Sequence, residues 1–207
     1  MDTMTYKTID QSKWSRREHY SFFGQMPDPF FGLAAKVDFT DCYEEARRDG
    51  ASFFLYSLHR IMKAVNSVPE LRCRIVGDEV VCYDRIAVSP TIGREDVTFG
   101  FAYLEYYDDR QEFVAGAQKE IERVKSGTGL SMDDNEQRLD VLYFSAIPWV
   151  DFTQVKPEGG HRPGDSIPQI ITGKLVEEDG RRRMNVYIEA NHGLADGLHV
   201  GMFFRNI

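Results

Sequence analysis

The chain has 207 residues, a mass of 23.8 kDa, 42% hydrophobic and 28% charged residues and a mean hydropathy of -0.42, which fits one globular domain over 1–207 and excludes a disordered or fibrous chain. No apolar run approaches the ~20 residues that span a bilayer, so no membrane partner is expected. With 25 Lys and Arg against 33 Asp and Glu, the net charge of -8 has the wrong sign for a phosphate-backbone binder, and no nucleic acid is expected.

Residues 1–10 lack a basic segment followed by an apolar stretch, so no secretory signal is predicted and the expected location is cytoplasmic. Residues 31–38 read as a strand. Thr40 and Asp41 offer an N-cap for a short helix that ends near Gly50. Ser52 can cap the next helix, where Phe54, Leu58, Ile61, Met62 and Val65 share one face, and Pro69 stops it. Residues 74–81 read as a hairpin about Gly77-Asp78, followed by strands near 85–92 and 97–103. A helix over 109–125 carries Phe113, Ala117, Ile121 and Val124 on one stripe and ends at Gly127. Segment 128–138 is a polar loop, 140–146 a strand, and 156–166 a surface loop rich in Gly, Pro and charge. Residues 167–176 and 183–190 form a hairpin across Glu178-Asp179-Gly180, and a short helix opens near Ala195. Cys42, Cys73 and Cys82 are odd in number and lack CxxC spacing, which predicts reduced structural thiols without a disulfide framework or a thiolate zinc site.

The segment richest in chemistry is Val186-Tyr187-Ile188-Glu189-Ala190-Asn191-His192-Gly193-Leu194-Ala195-Asp196-Gly197. A strand runs into His192, a glycine-containing turn follows, and Asp196-Gly197 opens a helix. An imidazole at a strand end suits a general base, because it starts with a pKa near working pH. A histidine satisfied at a strand end beside an N-cap aspartate fits the same spacing. A metal set of His192, Asp196 and His199 does not, since a strand before His192 and Gly193 after it keep the ligands off one helix face. Gly-rich phosphate loops and GxSxG are absent.

Asn191-His192-Gly193-Leu194-Ala195-Asp196-Gly197-Leu198-His199-Val200 resembles the HHxxxDGFHV signature of the chloramphenicol acetyltransferase family. Trp14-Ser15-Arg16-Arg17-Glu18-His19-Tyr20 is similar to that family's W-x-R-(K/R)-E-H-F, and Pro69-Glu70-Leu71-Arg72, Ser145-Ala146-Ile147-Pro148-Trp149-Val150 and Ile170-Ile171-Thr172 match at about the expected intervals. The resemblance runs nearly end to end. It implies an α/β (α+β) fold, a mixed β-sheet flanked by helices as in CoA-dependent acyltransferases. It also implies acetyl-CoA as co-substrate, no metal, and a homotrimer with active sites between subunits. His192 would take the proton from a hydroxyl of a small acceptor, chloramphenicol, while Arg16 and Asp196 form a structural ion pair. Phe22, Phe23, Phe31, Phe99 and Phe101 fall in acceptor-binding stretches, though each also fits a core position. Thr172 would place a hydroxyl near the site.

Departures from the pattern bear on rate and specificity. Where the resemblance leads one to expect an oxyanion-stabilising serine after Pro-Trp-Val, the chain has Gln154, whose amide is the alternative donor. Asn191 replaces the first histidine of the doublet, and Met26-Pro27-Asp28-Pro29-Phe30 and Phe101 reshape the acceptor wall. Three readings follow: a chloramphenicol O-acetyltransferase, an O-acetyltransferase for a different hydroxyl acceptor, or a catalytically impaired ligand-binding homologue.

Overall fold

Successive side chains of a strand point to opposite faces, and the inner strands of the central sheet are buried on both, so their burial runs continuously along much of their length. The computed structural model describes residues 5–132, 137–157, 161–162 and 164–207. Its elements are β1 (Tyr6–Thr8), α1 (Arg17–Phe23), β2 (Phe30–Asp38), α2 (Thr40–Arg48), α3 (Phe53–Asn66), a 3-10 turn (Pro69–Arg72), β3 (Cys73–Val76), β4 (Glu79–Tyr83), β5 (Ala87–Gly93), β6 (Phe99–Phe101), α4 (Arg110–Ser126), β7 (Val141–Ala146), β8 (Gln169–Thr172), β9 (Val176–Glu178), β10 (Arg181–Asn191) and α5 (Gly197–Asn206). A mixed seven-stranded sheet has the order β2-β10-β8-β7-β5-β6, with β9 also paired to β10. β7 runs parallel to β5 and β8, and the other pairs are antiparallel. β1, β4 and β3 make a separate antiparallel sheet.

Along β10, Met184, Val186, Ile188 and Ala190 enter the main core with residues of α2, α3, α4 and α5. Tyr187, Glu189 and Asn191 alternate to the opposite face. That face is covered in part by the chain after β7, where Asn185 Nδ2 donates to Asp151 (2.7 Å) and Asn191 Nδ2 to the Asp165 carbonyl (2.9 Å). No described helix is long and apolar enough to cross a membrane.

The expected mixed sheet with flanking helices is present, β1 and α1 add to the expected elements, and four expected features differ. The strand expected over 167–176 breaks into β8 and β9 because the segment after β7 approaches it. A Cβ on Gly173 would lie 3.1 Å from the Val150 carbonyl, which accepts from the Lys174 N–H instead. Thr40 begins α2 and does not cap it. The N-cap position falls to Phe39, and Asp38 before it accepts from the Thr40 N–H (2.9 Å) and hydroxyl (2.6 Å); these bonds, with Arg181, hold its carboxyl well below the ordinary range. Ser52 has the extended backbone of a cap residue, but its hydroxyl makes no cap bond. Finally, Cys73 and Cys82 are joined in a disulfide, leaving Cys42 as the free thiol. An odd count conceals a pair that the β3–β4 register sets directly opposite. The loops expected at 128–138 and 156–166 fall partly outside the described residues.

One buried cation ties the two sheets together. Arg74 is 0% exposed and donates four bonds to main-chain carbonyls: Leu139 (2.7 Å), Leu71 (2.9 Å), Cys73 (2.7 Å) and Val141 (2.6 Å). Burial lowers its pKa to about 10, so it stays charged at neutral pH. Arg74→Met keeps much of the volume but strands carbonyls that no side-chain change can remove. The expected cost is about 3 kcal/mol or more, a fall in Tm of roughly 6–12 °C for a chain of this size, read by calorimetric melting.

Candidate active site

The turn after β10 is held from several directions. Asn191 Oδ1 accepts from the Gly193 N–H (2.9 Å), and the Asn191 carbonyl accepts from Leu194 and Ala195 (3.0 Å each). Gly193 fits closely here: a Cβ would stand 3.1 Å from Asn191 Oδ1 and 3.3 Å from the Tyr20 ring. The His192 N–H donates to the Pro29 carbonyl (2.8 Å). Its ring stacks on Phe23 with centroids 3.8 Å apart and planes 5° from parallel, and tilts against Phe31 at 4.6 Å. Nδ1 is buried without a hydrogen-bond partner among the described residues. Nε2 is therefore the nitrogen left to meet a substrate.

Asp196 caps α5 by accepting from the Leu198 N–H (3.0 Å), while its own N–H donates to His199 Nδ1 (3.1 Å). Arg16 donates to Asp196 Oδ2 (2.5 Å) and to the His192 carbonyl (3.1 Å), so one guanidinium fastens both ends of the turn. Burial pushes the Asp196 carboxyl up, but the bonds from Arg16 and Leu198 outweigh it and the pKa lies below 3.8. α1 begins beside Arg16 and ends at Phe23, and thus brackets the histidine. His199 is committed to the cap, and among the described residues no three His, Cys, Asp or Glu are grouped to hold a metal ion.

The other residues singled out in the sequence lie elsewhere. Phe99 and Phe101 wall a cavity of about 560 Å³ on the face opposite the main core, together with Phe30, Tyr143, Ser145 and Glu189. His192, Phe23 and Arg16 do not line it. Gln154 is exposed and lines a second groove of about 520 Å³ over β2 that includes Phe31 and Glu189. Thr172 is 3% exposed within β8, and Phe22 is 62% exposed, edge-on to Phe23. Ser145 is one of several hydroxyl-bearing residues of this cavity, with Ser89, Thr91 and Ser166, and the sequence pattern assigned it no role. Its signal was the alternation of β7, where Leu142 and Phe144 enter the core and Tyr143 and Ser145 face the cavity.

Glu189 is also built into this wall. It is 6% exposed, and Oε2 accepts from the Tyr187 hydroxyl (2.8 Å). The Tyr187 ring lies over Gly32, where a Cβ would come within 2.0 Å of the phenol oxygen. His161, stacked on Phe30, brings Nε2 to 3.5 Å from Glu189 Oε1 and Nδ1 to 2.9 Å from Asp28 Oδ1. Burial raises the Glu189 pKa against the lowering influence of Tyr187 and His161.

Comparison with known proteins places this geometry. Residues 4–207 match the family described as chloramphenicol acetyltransferase. Chloramphenicol acetyltransferase 3 of Escherichia coli is 28% identical over 205 residues, covering 99% of this chain and 96% of the relative, and chloramphenicol acetyltransferase 2 of the same organism is 27% identical over 207 residues with the same coverage. A solved chloramphenicol acetyltransferase superposes with a TM-score of 0.91 at 28% identity, covering 98% of this chain and 97% of the other. The dihydrolipoamide acetyltransferase of Azotobacter vinelandii shares the fold at a TM-score of 0.66 and 12% identity, covering 91% of this chain and 83% of the other. With its full-length match and a site assembled around one imidazole, the chain belongs to the chloramphenicol acetyltransferase family of acyltransferases.

Proposed function

We propose that the chain moves the acetyl group of acetyl-CoA directly to a hydroxyl of chloramphenicol, with His192 as general base. The observation that carries this reading is the His192 ring, set by Phe23 at the end of β10 while Arg16 and Pro29 hold its main chain. Imidazole takes the hydroxyl proton as the acceptor oxygen attacks the thioester carbonyl. The tetrahedral oxyanion then expels CoA as thiolate, which recovers the proton from the imidazolium. Arg16 and Asp196 hold the turn and do not react. The separation of His192 from the Phe99–Phe101 cavity supports a homotrimer with active sites between subunits, one copy supplying the base and its neighbour the acceptor walls.

Adding chloramphenicol to enzyme and acetyl-CoA is expected to release free CoA thiol. Release no greater than that of the His192→Ala variant would refute chloramphenicol as acceptor. The oxyanion donor is assigned by a second comparison. Ser145, facing the cavity, is the better-placed hydroxyl, so Ser145→Ala is expected to lower kcat by ~10²–10³, with Gln154→Ala far less damaging. The reverse order would return the role to Gln154.

A different hydroxyl acceptor is favoured by the charged groups in the cavity wall, where Glu189 and His161 meet beside Phe30. A panel of alcohols tested for acetyl-CoA turnover separates the two readings. Chloramphenicol reacting as fast as any other member would count against the second.

A further inference from the structure

We propose that Cys73 and Cys82 are a redox-active pair whose oxidation state sets the geometry of the His192 turn, so that acyl transfer is faster in the disulfide form than in the dithiol form. The effect on turnover rests on the function proposed above; the coupling of the pair to the turn does not.

Cys73 and Cys82 face each other across β3 and β4, next to the Gly77 turn. They belong to a small hydrophobic cluster separate from the main core. Cys73, Val80 and Leu194 are its buried members, and Trp14, Tyr20 and Cys82 pack around them. Three of these neighbours lead to the site. Leu194 lies in the turn two residues after His192. Tyr20 stands 3.3 Å from the position a Cβ on Gly193 would occupy and belongs to the same helix as Phe23, on which the imidazole stacks. Trp14 packs on Tyr20 at 5.7 Å and precedes Arg16, which holds the His192 carbonyl. The disulfide hairpin is thus the floor on which the turn and α1 rest.

Two unbonded sulfur atoms need more room than a bonded pair, and a close-packed cluster transmits such a change to its neighbours. Cys82 is the more exposed of the two and is the sulfur open to attack. The thiolate of an external dithiol attacks its Sγ, the Sγ–Sγ bond breaks, and Cys73 leaves as a thiolate that takes up a proton. The second thiol of the reductant then closes on the mixed disulfide and frees Cys82. Two electrons and two protons pass from the dithiol to the protein, and the reductant becomes a cyclic disulfide. Cys42 stands aside, because burial raises its thiol to about 11 and suppresses the reactive thiolate.

The full-length protein is equilibrated in graded mixtures of reduced and oxidised dithiothreitol, and the reduced fraction is counted by alkylation and mass. Turnover is followed by loss of thioester absorbance, since a thiol-release assay would read the reductant. In parallel, the rate at which diethyl pyrocarbonate acylates His192 is measured against His192→Ala, a readout independent of any acceptor. A sub-ångström displacement of the base is expected to lower kcat by about three- to tenfold, with KM little changed, along one two-electron titration. The His192 acylation rate should change at the same midpoint, and both responses should vanish in Cys73→Val/Cys82→Val. Reduction proved by alkylation with unchanged kcat and acylation rate, or a response persisting in the double variant, would overturn the proposal. If no acceptor supports turnover, the acylation rate decides it alone.

Discussion

Replacing His192 by alanine is expected to lower kcat by ~10²–10⁴, the range that a positioned general base contributes. The expectation comes from how little else can serve. The ring is fixed by Phe23 at 3.8 Å and by Phe31, its Nδ1 is buried without a partner among the described residues, and His199, the next histidine along the chain, is committed to the α5 cap. The KM for either substrate should change much less, because an alanine removes a proton acceptor and leaves the distant cavity walls intact. The fold should survive: losing the ring stack costs about 0.5–1.5 kcal/mol. The measurement is CoA release with chloramphenicol, alongside a melting curve for the variant. A variant that melts like the parent and keeps more than roughly a tenth of its turnover, far above the range for a lost base, would remove His192 from the chemistry.

Asp196→Ala is expected to be the most destabilising change in the site. It leaves the Arg16 guanidinium, 9% exposed, without its counter-charge, a situation that costs about 3–5 kcal/mol. It also removes the α5 cap, worth about 1 kcal/mol. Asp196→Asn separates the two contributions, because an amide oxygen can still accept from Leu198 while the charge is gone. Its loss in Tm should fall between those of the parent and the alanine variant. The pH dependence has a defined sign. A carboxyl held below its ordinary 3.8 stabilises the folded state fully above that value, and the contribution is lost as pH falls through the folded pKa. The stability gap between parent and Asp196→Asn should stay level near neutrality and close below about pH 4. A gap that instead widened in acid would disprove the ion pair as its source.

Much of the site was legible because β10, its turn and α5 are contiguous. Alternation marked the strand, Asp196 marked the cap, and His192 lay between them. Arg16 was not readable in this way, being 180 positions from its partner, and entered only through the family resemblance. Adjacent phenylalanines show a different limit. Nothing local tells that Phe23 lies against the imidazole while Phe22 is left exposed, since that depends on where α1 docks. Ser145 was readable in principle from the alternation of β7, whereas the Cys73–Cys82 bond depends on which strand lies alongside and in what register, and register is set by the whole sheet. Arg74 was invisible for a related reason: its four acceptors are main-chain carbonyls, which leave no trace in side-chain pattern.

The pairing of β2 with β10, from Asp38 with Arg183 to Phe30 with Asn191, joins segments far apart in the sequence. During synthesis the strand carrying Phe31 leaves the ribosome long before its neighbour exists, and must wait with its main-chain donors and acceptors unpaired. Closing so large a loop is slow, and waiting edges invite association with other nascent chains. The imidazole's seat is consequently among the last parts to be completed.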